Sequence, residues 1–198
     1  VNGLCPAYVN CGRFDPKFSA RPVGQPPQRV LGYNFRITEF QAAILLEQLR
    51  RLGGQIKRRE GNSAYLNRKL EEVGLLPLKR DGRLTKENGY FYSFKYRREA
   101  FDGAPREVFV KAMNAEGIPI GGGIFDPLYR DELFFPDPRY FNMTYDYAKV
   151  RCPVAERVEQ EEIVSLGHSV LLGTREDMDD IVEAATKIAR DSKELGRP

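Results

Sequence analysis

A helix start signal followed by a long apolar repeat most constrains what this chain can fold into. Thr38 and Gln41 have the spacing of a capping box, in which two side chains satisfy unpaired N–H groups of a first helical turn. Behind this start, apolar residues recur at helical spacing: Phe40, Ile44, Leu45, Leu49, Leu52 and Ile56. The sequence therefore predicts an amphipathic helix from about Thr38 to Leu52.

A polar turn with two candidate binding residues directly precedes this helix. The Asn34 amide offers N–H donors without adding charge, and the Arg36 guanidinium matches the geometry of a carboxylate or a phosphate. Contact with an anion is one interpretation of this pair. Pinning of the turn is the other, and spacing alone does not separate the two.

The rest of the chain alternates between helical and strand patterns. Gly53-Gly54 is expected to break or bend the first helix, and a second charged helix is predicted from about Gln55 to Val73. Six further elements are predicted, namely strands at 75–78, 90–96 and 163–166 and helices at 105–115, at 153–162 and from Thr174. This order predicts an α/β fold with a small mixed sheet packed with helices.

Composition narrows the environment and the partners. The net charge of +3, with 31 Lys and Arg against 28 Asp and Glu, does not by itself imply nucleic acid. The three cysteines lack close metal-ligand spacing and favour a reducing cytoplasm, so we expect no metal site. No apolar run approaches the length of a membrane span. The chain begins with Val1, which is interpreted as an internal residue of a longer protein.

Three further features each have a chemical and a structural interpretation. His168 is the single histidine, and a structural or surface role is favoured over catalysis. Gly121–Gly123 could cradle a phosphate, but it lacks the known glycine patterns, and a flexible turn is favoured. The basic runs Arg50-Arg51 and Lys57–Arg59 could touch nucleic acid, but interleaved glutamates favour a solvated face.

Six segments, taken in order, resemble the DegT/DnrJ/EryC1/StrS aminotransferases. The most specific is GYNFRITEFQAA at residues 32–43. The others are NCGR at 10–13, AEGIP at 115–119, DPLY at 126–129, PVAER at 153–157, and LLGT with EDM between 171 and 178. The resemblance covers nearly the whole chain. The PLY and LLGT endings are similar to the cyclitol and amino-inositol branch.

The resemblance implies roles for three residues. These enzymes have the aspartate-aminotransferase fold (fold type I), depend on pyridoxal 5'-phosphate (PLP) and act as homodimers. Asn34 would bond the PLP phosphate of the other subunit, and Arg36 would lie near the interface or an acidic donor's carboxylate. Tyr129 would line the substrate pocket, at the position where sugar-nucleotide relatives carry histidine.

The resemblance also implies what this chain lacks. In the family, the Schiff-base lysine and the acid that pairs with the pyridinium nitrogen precede the segment at 10–13, so no catalytic residue is expected here. Lys17 follows that segment and does not stand in the motif. Residues 1–54 would be a remnant of the large PLP-binding domain with an interface segment, and 55–198 the small C-terminal α/β domain.

Three functions follow as expectations. The first is the C-terminal part of a PLP-dependent aminotransferase that moves an amino group from glutamate or glutamine to a keto-sugar or keto-cyclitol, inactive as this fragment. The second is a non-catalytic binding or dimerisation domain that kept the fold, and the third is a basic module that binds nucleic acid. For the fragment we expect self-association, or disorder of residues 1–31, because an apolar helix face lacks its partner.

Overall fold

The computed structural model of the chain describes residues 37–123, 126–131 and 146–195. The chain divides into two compact units, Val1–Leu52 and Gly53–Pro198. Asn34, Arg36 and residues 1–31, on which several predictions fall, lie outside the described residues.

In the first unit the described residues form the start of helix α1, which runs from Glu39 to Glu72. The predicted capping box is present: the Gln41 N–H donates to Thr38 Oγ1 at 3.3 Å, and the Thr38 N–H donates to Gln41 Oε1 at 2.9 Å. The apolar repeat behind it faces solvent, and Ile44 is 62% exposed. The same holds for Ile37, Phe40, Leu45, Leu46 and Leu49, each more than half exposed.

Helix α1 is continuous across Gly53-Gly54, so the predicted break there is wrong. A helical glycine costs about 1 kcal/mol relative to alanine. The neighbouring leucine, glutamine and arginine residues favour the helix strongly enough to offset this cost. No heavy atom lies within 4 Å of a Cβ built at either position, so packing does not require these glycines. The helix ends where Gly74 was predicted to stop it. Gly74 has φ +87°, and its N–H and that of Leu75 return to the carbonyls of Glu71 and Leu70.

The second unit is built on a four-stranded sheet. Its strands are β1 Leu76–Pro77, β2 Phe91–Lys95, β3 Ile120–Gly122 and β4 Ile163–Gly167, in the order β1-β2-β4-β3. All three pairings are antiparallel, whereas the sequence predicted a mixed sheet. Strand direction depends on how each connection returns to the sheet, and alternating side chains carry no information about it.

Four further α-helices follow among the described residues of the second unit. They are α2 Arg106–Ala115, α3 Pro153–Arg157, α4 Arg175–Arg190 and α5 Ser192–Leu195. The helix predicted at 153–162 is split, because a π-helical turn, Val158–Glu162, follows α3. Short 3-10 helices lie at Arg98–Phe101, Leu128–Arg130, Tyr147–Lys149 and Val170–Leu172.

The core of the second unit lies between the sheet and the helices. Helix α4 begins at Thr174, which the sequence predicts as its N-cap, and the reciprocal bond with Asp177 makes this cap a capping box. Its apolar face is buried as predicted, with Ile181 only 2% exposed. An aromatic cluster of Tyr96, Phe101 and Phe109 lies beside it, with ring centroids 4.9–5.1 Å apart. Burial raises the pKa of the Tyr96 hydroxyl to about 12.

The second half of α1 corrects the prediction of a fully solvated basic face. Arg59 is 7% exposed, and it packs against Gly89, where a Cβ would lie 3.3 Å from the Arg59 Cβ. Arg58 donates to the carbonyl of Leu172 at 3.2 Å. The helical spacing predicts that Ala64, Leu66 and Leu70 face a core. Leu66 and Leu70 are buried, whereas Ala64 is exposed. Asn62 is buried in its place and donates to the carbonyls of Leu171 and Gly173, both at 3.0 Å.

Candidate functional site

Two segments that are distant in the sequence meet in the second unit. The first is the stretch 126–131, in which Pro127 precedes the 3-10 helix Leu128–Arg130. The second is the start of α3, where Cys152 precedes the helix and Pro153 occupies its first turn, a position that does not require an N–H. We call the contact between Tyr129, Arg130, Cys152 and Glu156 the Tyr129–Glu156 cluster.

Glu156 is the centre of this cluster. The Tyr129 hydroxyl donates to Glu156 Oε1. The Cys152 N–H donates to the same carboxylate oxygen at 3.1 Å and to the Tyr129 hydroxyl oxygen at 3.3 Å. On its other side the carboxylate pairs with Arg130, with 2.8 Å between Nη2 and Oε2. A single carboxylate therefore holds the tyrosine, the arginine and the first turn of α3 together.

The electrostatics of the cluster define its protonation state. The hydrogen bond from Tyr129 lowers the pKa of Glu156 below its usual value, and the Cys152 N–H and the charge of Arg130 act in the same direction. Desolvation raises the pKa of the Tyr129 hydroxyl, and its hydrogen bond to Glu156 raises it further. At neutral pH the carboxyl is therefore ionised while the phenol keeps its proton.

Of the three predicted site residues, the described part of the chain contains Tyr129. It is half-buried. Asn34 and Arg36 lie outside the described residues, so both remain predictions. Sequence reasoning missed Glu156 as a partner, although the segment at 153–157 had been recognised as a family motif. Tyr129 and Glu156 are 27 positions apart, and no helical or strand spacing indicates such a contact.

Gly121–Gly123 does not form the predicted flexible turn. Gly121 and Gly122 belong to β3, and the Gly123 N–H donates to the carbonyl of Ile163 at 3.1 Å. A Cβ at Gly122 would lie 2.8 Å from Nε of Arg106, because the buried Arg106 side chain crosses the strand there. Gly121 and Gly122 therefore pair with Ser165 and Val164 of β4 as the end of a strand, and Arg106 leaves no room for a side chain at Gly122.

Arg106 itself has a structural role. Its Nη1 donates to the carbonyl of Glu159 at 2.5 Å and to that of Ile163 at 3.2 Å. Its Nη2 pairs with Glu107 at 2.9 Å. The arginine therefore ties the start of α2 to the π-helical turn and β4, which holds the segment after α3 against the sheet.

His168 lies at the surface, as the structural or surface interpretation expected. It is exposed and stacks on the ring of Tyr90, with centroids 5.7 Å apart and the two planes at 21°. Among the residues that the structure describes, no group of three or more His, Cys, Asp or Glu side chains could hold a metal ion. Within those same ranges, no helix has both the length and the apolar character needed to cross a bilayer.

The fold is that of an aminotransferase. The structure matches the X-ray structure of the aminotransferase from Psychrobacter cryohalolentis with a TM-score of 0.67, at 20% identity, over 94% of this chain and 48% of that chain. A structural match at such low identity establishes the fold alone. This match confirms the predicted fold class, part of a fold type I aminotransferase. The sequence matches the DegT/DnrJ/EryC1/StrS aminotransferase family over residues 10–186, and the chain belongs to that family.

Curated relatives agree with the cyclitol branch of the family. The chain is 34% identical to the L-glutamine:2-deoxy-scyllo-inosose aminotransferase of Streptoalloteichus tenebrarius, over 84% of this chain and 41% of that protein. It is 32% identical to the L-glutamine:scyllo-inosose aminotransferase of Streptomyces griseus, over 85% of this chain and 41% of that protein. The chain thus spans less than half the length of the curated relatives it matches.

Proposed function

We propose that this chain is the C-terminal portion of a PLP-dependent aminotransferase that moves an amino group from glutamine or glutamate to a keto-cyclitol, or to a keto-sugar. The observation that carries the proposal is the family match over residues 10–186, together with relatives named as glutamine:inosose aminotransferases. The Tyr129–Glu156 cluster adds support, because it brings two segments of the family pattern into contact. We also propose that the enzyme acts in the cytoplasm.

The described lysines support a division of labour between this chain and the rest of the enzyme. In transamination, bound PLP supplies the electron sink, and it needs a lysine amine together with an acid near its ring nitrogen. Four described lysines pair with carboxylates: Lys69, Lys95, Lys149 and Lys187. The other described lysines are exposed: Lys57, Lys79, Lys86, Lys111 and Lys193. These pairings and exposures support surface roles for the described amines, and Lys17 lies outside the described residues. We propose that the Schiff-base lysine belongs to the rest of the enzyme and that this chain alone is inactive.

The contributions of this chain are then binding and positioning. Asn34 would donate to the cofactor phosphate of the partner subunit, and Arg36 would lie near the interface or the donor carboxylate. Tyr129 would form part of the wall of the substrate pocket. The exposed apolar face at the start of α1 supports the proposed homodimer, because a surface of that kind is covered in stable assemblies.

The test uses the full-length enzyme that carries this sequence. Adding PLP should produce the yellow absorbance of an imine, and glutamine with scyllo-inosose should yield the aminated cyclitol. Asn34→Ala should weaken PLP binding, whereas the control Asn88→Ala, in an exposed turn, should not. A full-length protein that stays colourless and inactive would reject the aminotransferase and leave the non-catalytic domain as the interpretation.

A further inference from the structure

The hydrogen bonds around Tyr129 leave its oxygen in a defined state. A tyrosine hydroxyl has one proton to donate and two lone pairs that accept. The proton is committed to Glu156 Oε1, because an ionised carboxylate can only accept. One lone pair faces the Cys152 N–H at 3.3 Å. The described contacts therefore leave one lone pair of the Tyr129 oxygen for a group from outside.

The Tyr129 hydroxyl cannot easily turn its proton away from the Glu156 carboxylate. Its Oε1 already accepts from both Tyr129 and Cys152, and its Oε2 is held by Arg130. Arg130 also lies near the Tyr129 ring, with 5.8 Å between its guanidinium carbon and the ring centroid. Turning the hydroxyl proton outward would leave Glu156 short of a donor and bring the tyrosine lone pair toward a negative charge. The orientation of the hydroxyl is thus set by Glu156.

We propose that Glu156 is a positioning residue that fixes the Tyr129 hydroxyl as a hydrogen-bond acceptor for a hydroxyl group of the amino acceptor. This inference rests on the proposed function, because it takes Tyr129 to line the substrate pocket. A keto oxygen only accepts hydrogen bonds, so Tyr129 in this state does not bind the reacting carbonyl. It selects for a polyhydroxylated ring, and it orients that ring through a hydroxyl away from the reaction.

The first experiment measures the hydroxyl directly and needs no catalysis. Tyrosine labelled at the ring carbon that bears the hydroxyl is followed by NMR as the pH rises, and Tyr129→Phe identifies the Tyr129 signal. We expect Tyr129 to ionise above its ordinary pKa, and we expect Glu156→Gln to lower that pKa. The matched control Glu161→Gln, at an exposed position of the neighbouring turn, should leave it unchanged. An unchanged pKa in Glu156→Gln would overturn the inference.

The second experiment measures amination of scyllo-inosose by the full-length enzyme. Tyr129→Phe and Glu156→Gln should each raise KM for the cyclitol about tenfold, with kcat largely retained, because the first removes the accepting hydroxyl and the second removes the charge that fixes its direction. In the double variant, Glu156→Gln should add little to Tyr129→Phe, since Glu156 acts through Tyr129. Effects on KM that multiply in the double variant would overturn the inference. Absence of any amination by the unmodified enzyme would reject the proposed function instead, and the titration would still decide whether Glu156 controls the hydroxyl.

Discussion

Helices α1 and α4 begin with the same kind of N-terminal cap, but the apolar faces behind the two caps lie in different environments. Each starts with a threonine whose hydroxyl accepts from the N–H three residues later, and each carries an apolar repeat behind it. In α4 that repeat is buried in the core of the second unit, with Ile181 2% exposed. At the start of α1 the repeat faces solvent, with Ile44 62% exposed. A cap and a period thus define a helix and its apolar face, but they do not say what covers that face.

The largest expected effect comes from the same substitution made on both helices. Ile181→Ala should lower the free energy of unfolding by about 2–5 kcal/mol, because it leaves a cavity in a closed core. Ile44→Ala should change it by about 0.5 kcal/mol or less, because the side chain is already in water. Urea denaturation of both variants gives the comparison. Equal losses would mean that the α1 face is covered within this chain.

A charge placed on the α1 face tests whether that face holds copies of the chain together. Leu49→Asp should weaken self-association at least about tenfold, because burying one leucine contributes roughly 1.5–3 kcal/mol. Sedimentation velocity over a range of concentrations measures this. Ala64→Asp, at an exposed position on the second half of the same helix, is the control. An unmodified chain that sediments as a monomer at every concentration would contradict the expected association.

Gly74 and Gly53 differ in whether the backbone conformation at the position requires a glycine. Gly74→Ala should cost about 1–2 kcal/mol, because Gly74 has φ +87° and a Cβ there would lie 2.6 Å from Ala100 Cβ. Gly53→Ala should instead stabilise α1 by about 0.5–1 kcal/mol, because a helical backbone prefers alanine. Thermal unfolding measures the first, and helix content by circular dichroism the second. A loss of helix content in Gly53→Ala would contradict a continuous helix and support the predicted break at this position.

The two caps should differ in how far their loss spreads. Thr174→Ala should lower the free energy of unfolding by about 1 kcal/mol, because α4 is packed into the core. Thr38→Ala should fray only the first turn of α1. Amide hydrogen exchange would show this as faster exchange near Gln41 without a change in the global transition. A global loss of stability in Thr38→Ala would show that the start of α1 unfolds together with the rest.

Acid should lower the free energy of unfolding only weakly, through an ion pair in the second unit. The hydrogen bond from Lys95 lowers the pKa of Glu162, and the bond from Arg157 does so too. A carboxyl whose pKa is lowered in the folded state stabilises the fold at pH values above the ordinary carboxyl pKa. That stabilisation is lost as the pH falls through the folded-state pKa. Glu162→Gln should therefore flatten the acid side of the stability profile by about 0.5 kcal/mol or less, because the pair is partly exposed. Glu47→Gln, from an exposed pair at the start of α1, serves as the control.

Much of the fold was predictable where a local rule decides the outcome. The capping box at Thr38, the start of α4 at Thr174 and the end of α1 near Gly74 all follow from neighbours a few residues away. The predictions that failed depend on distant partners. Gly122 belongs to a strand because it pairs with Val164 of β4, and Arg59 is buried where it packs against Gly89.

The candidate site divides in the same way. Tyr129 was recognised from its motif, and Asn34 and Arg36 remain sequence predictions outside the described residues. The state of the Tyr129 hydroxyl could not be predicted, because it depends on a carboxylate 27 positions away. Motif residues can therefore be named before their partners are known, but the direction of a hydrogen bond requires the partner.

The sequence by itself determined the local secondary structure and the family, because helix caps, apolar periods and family motifs each occupy a short stretch of chain. Folding in three dimensions added the direction of the strands, the burial of Arg59 and the contact between Tyr129 and Glu156. These features depend on where the connections return and on which side chains then compete for the same space. Contacts of that kind join residues that no spacing rule relates.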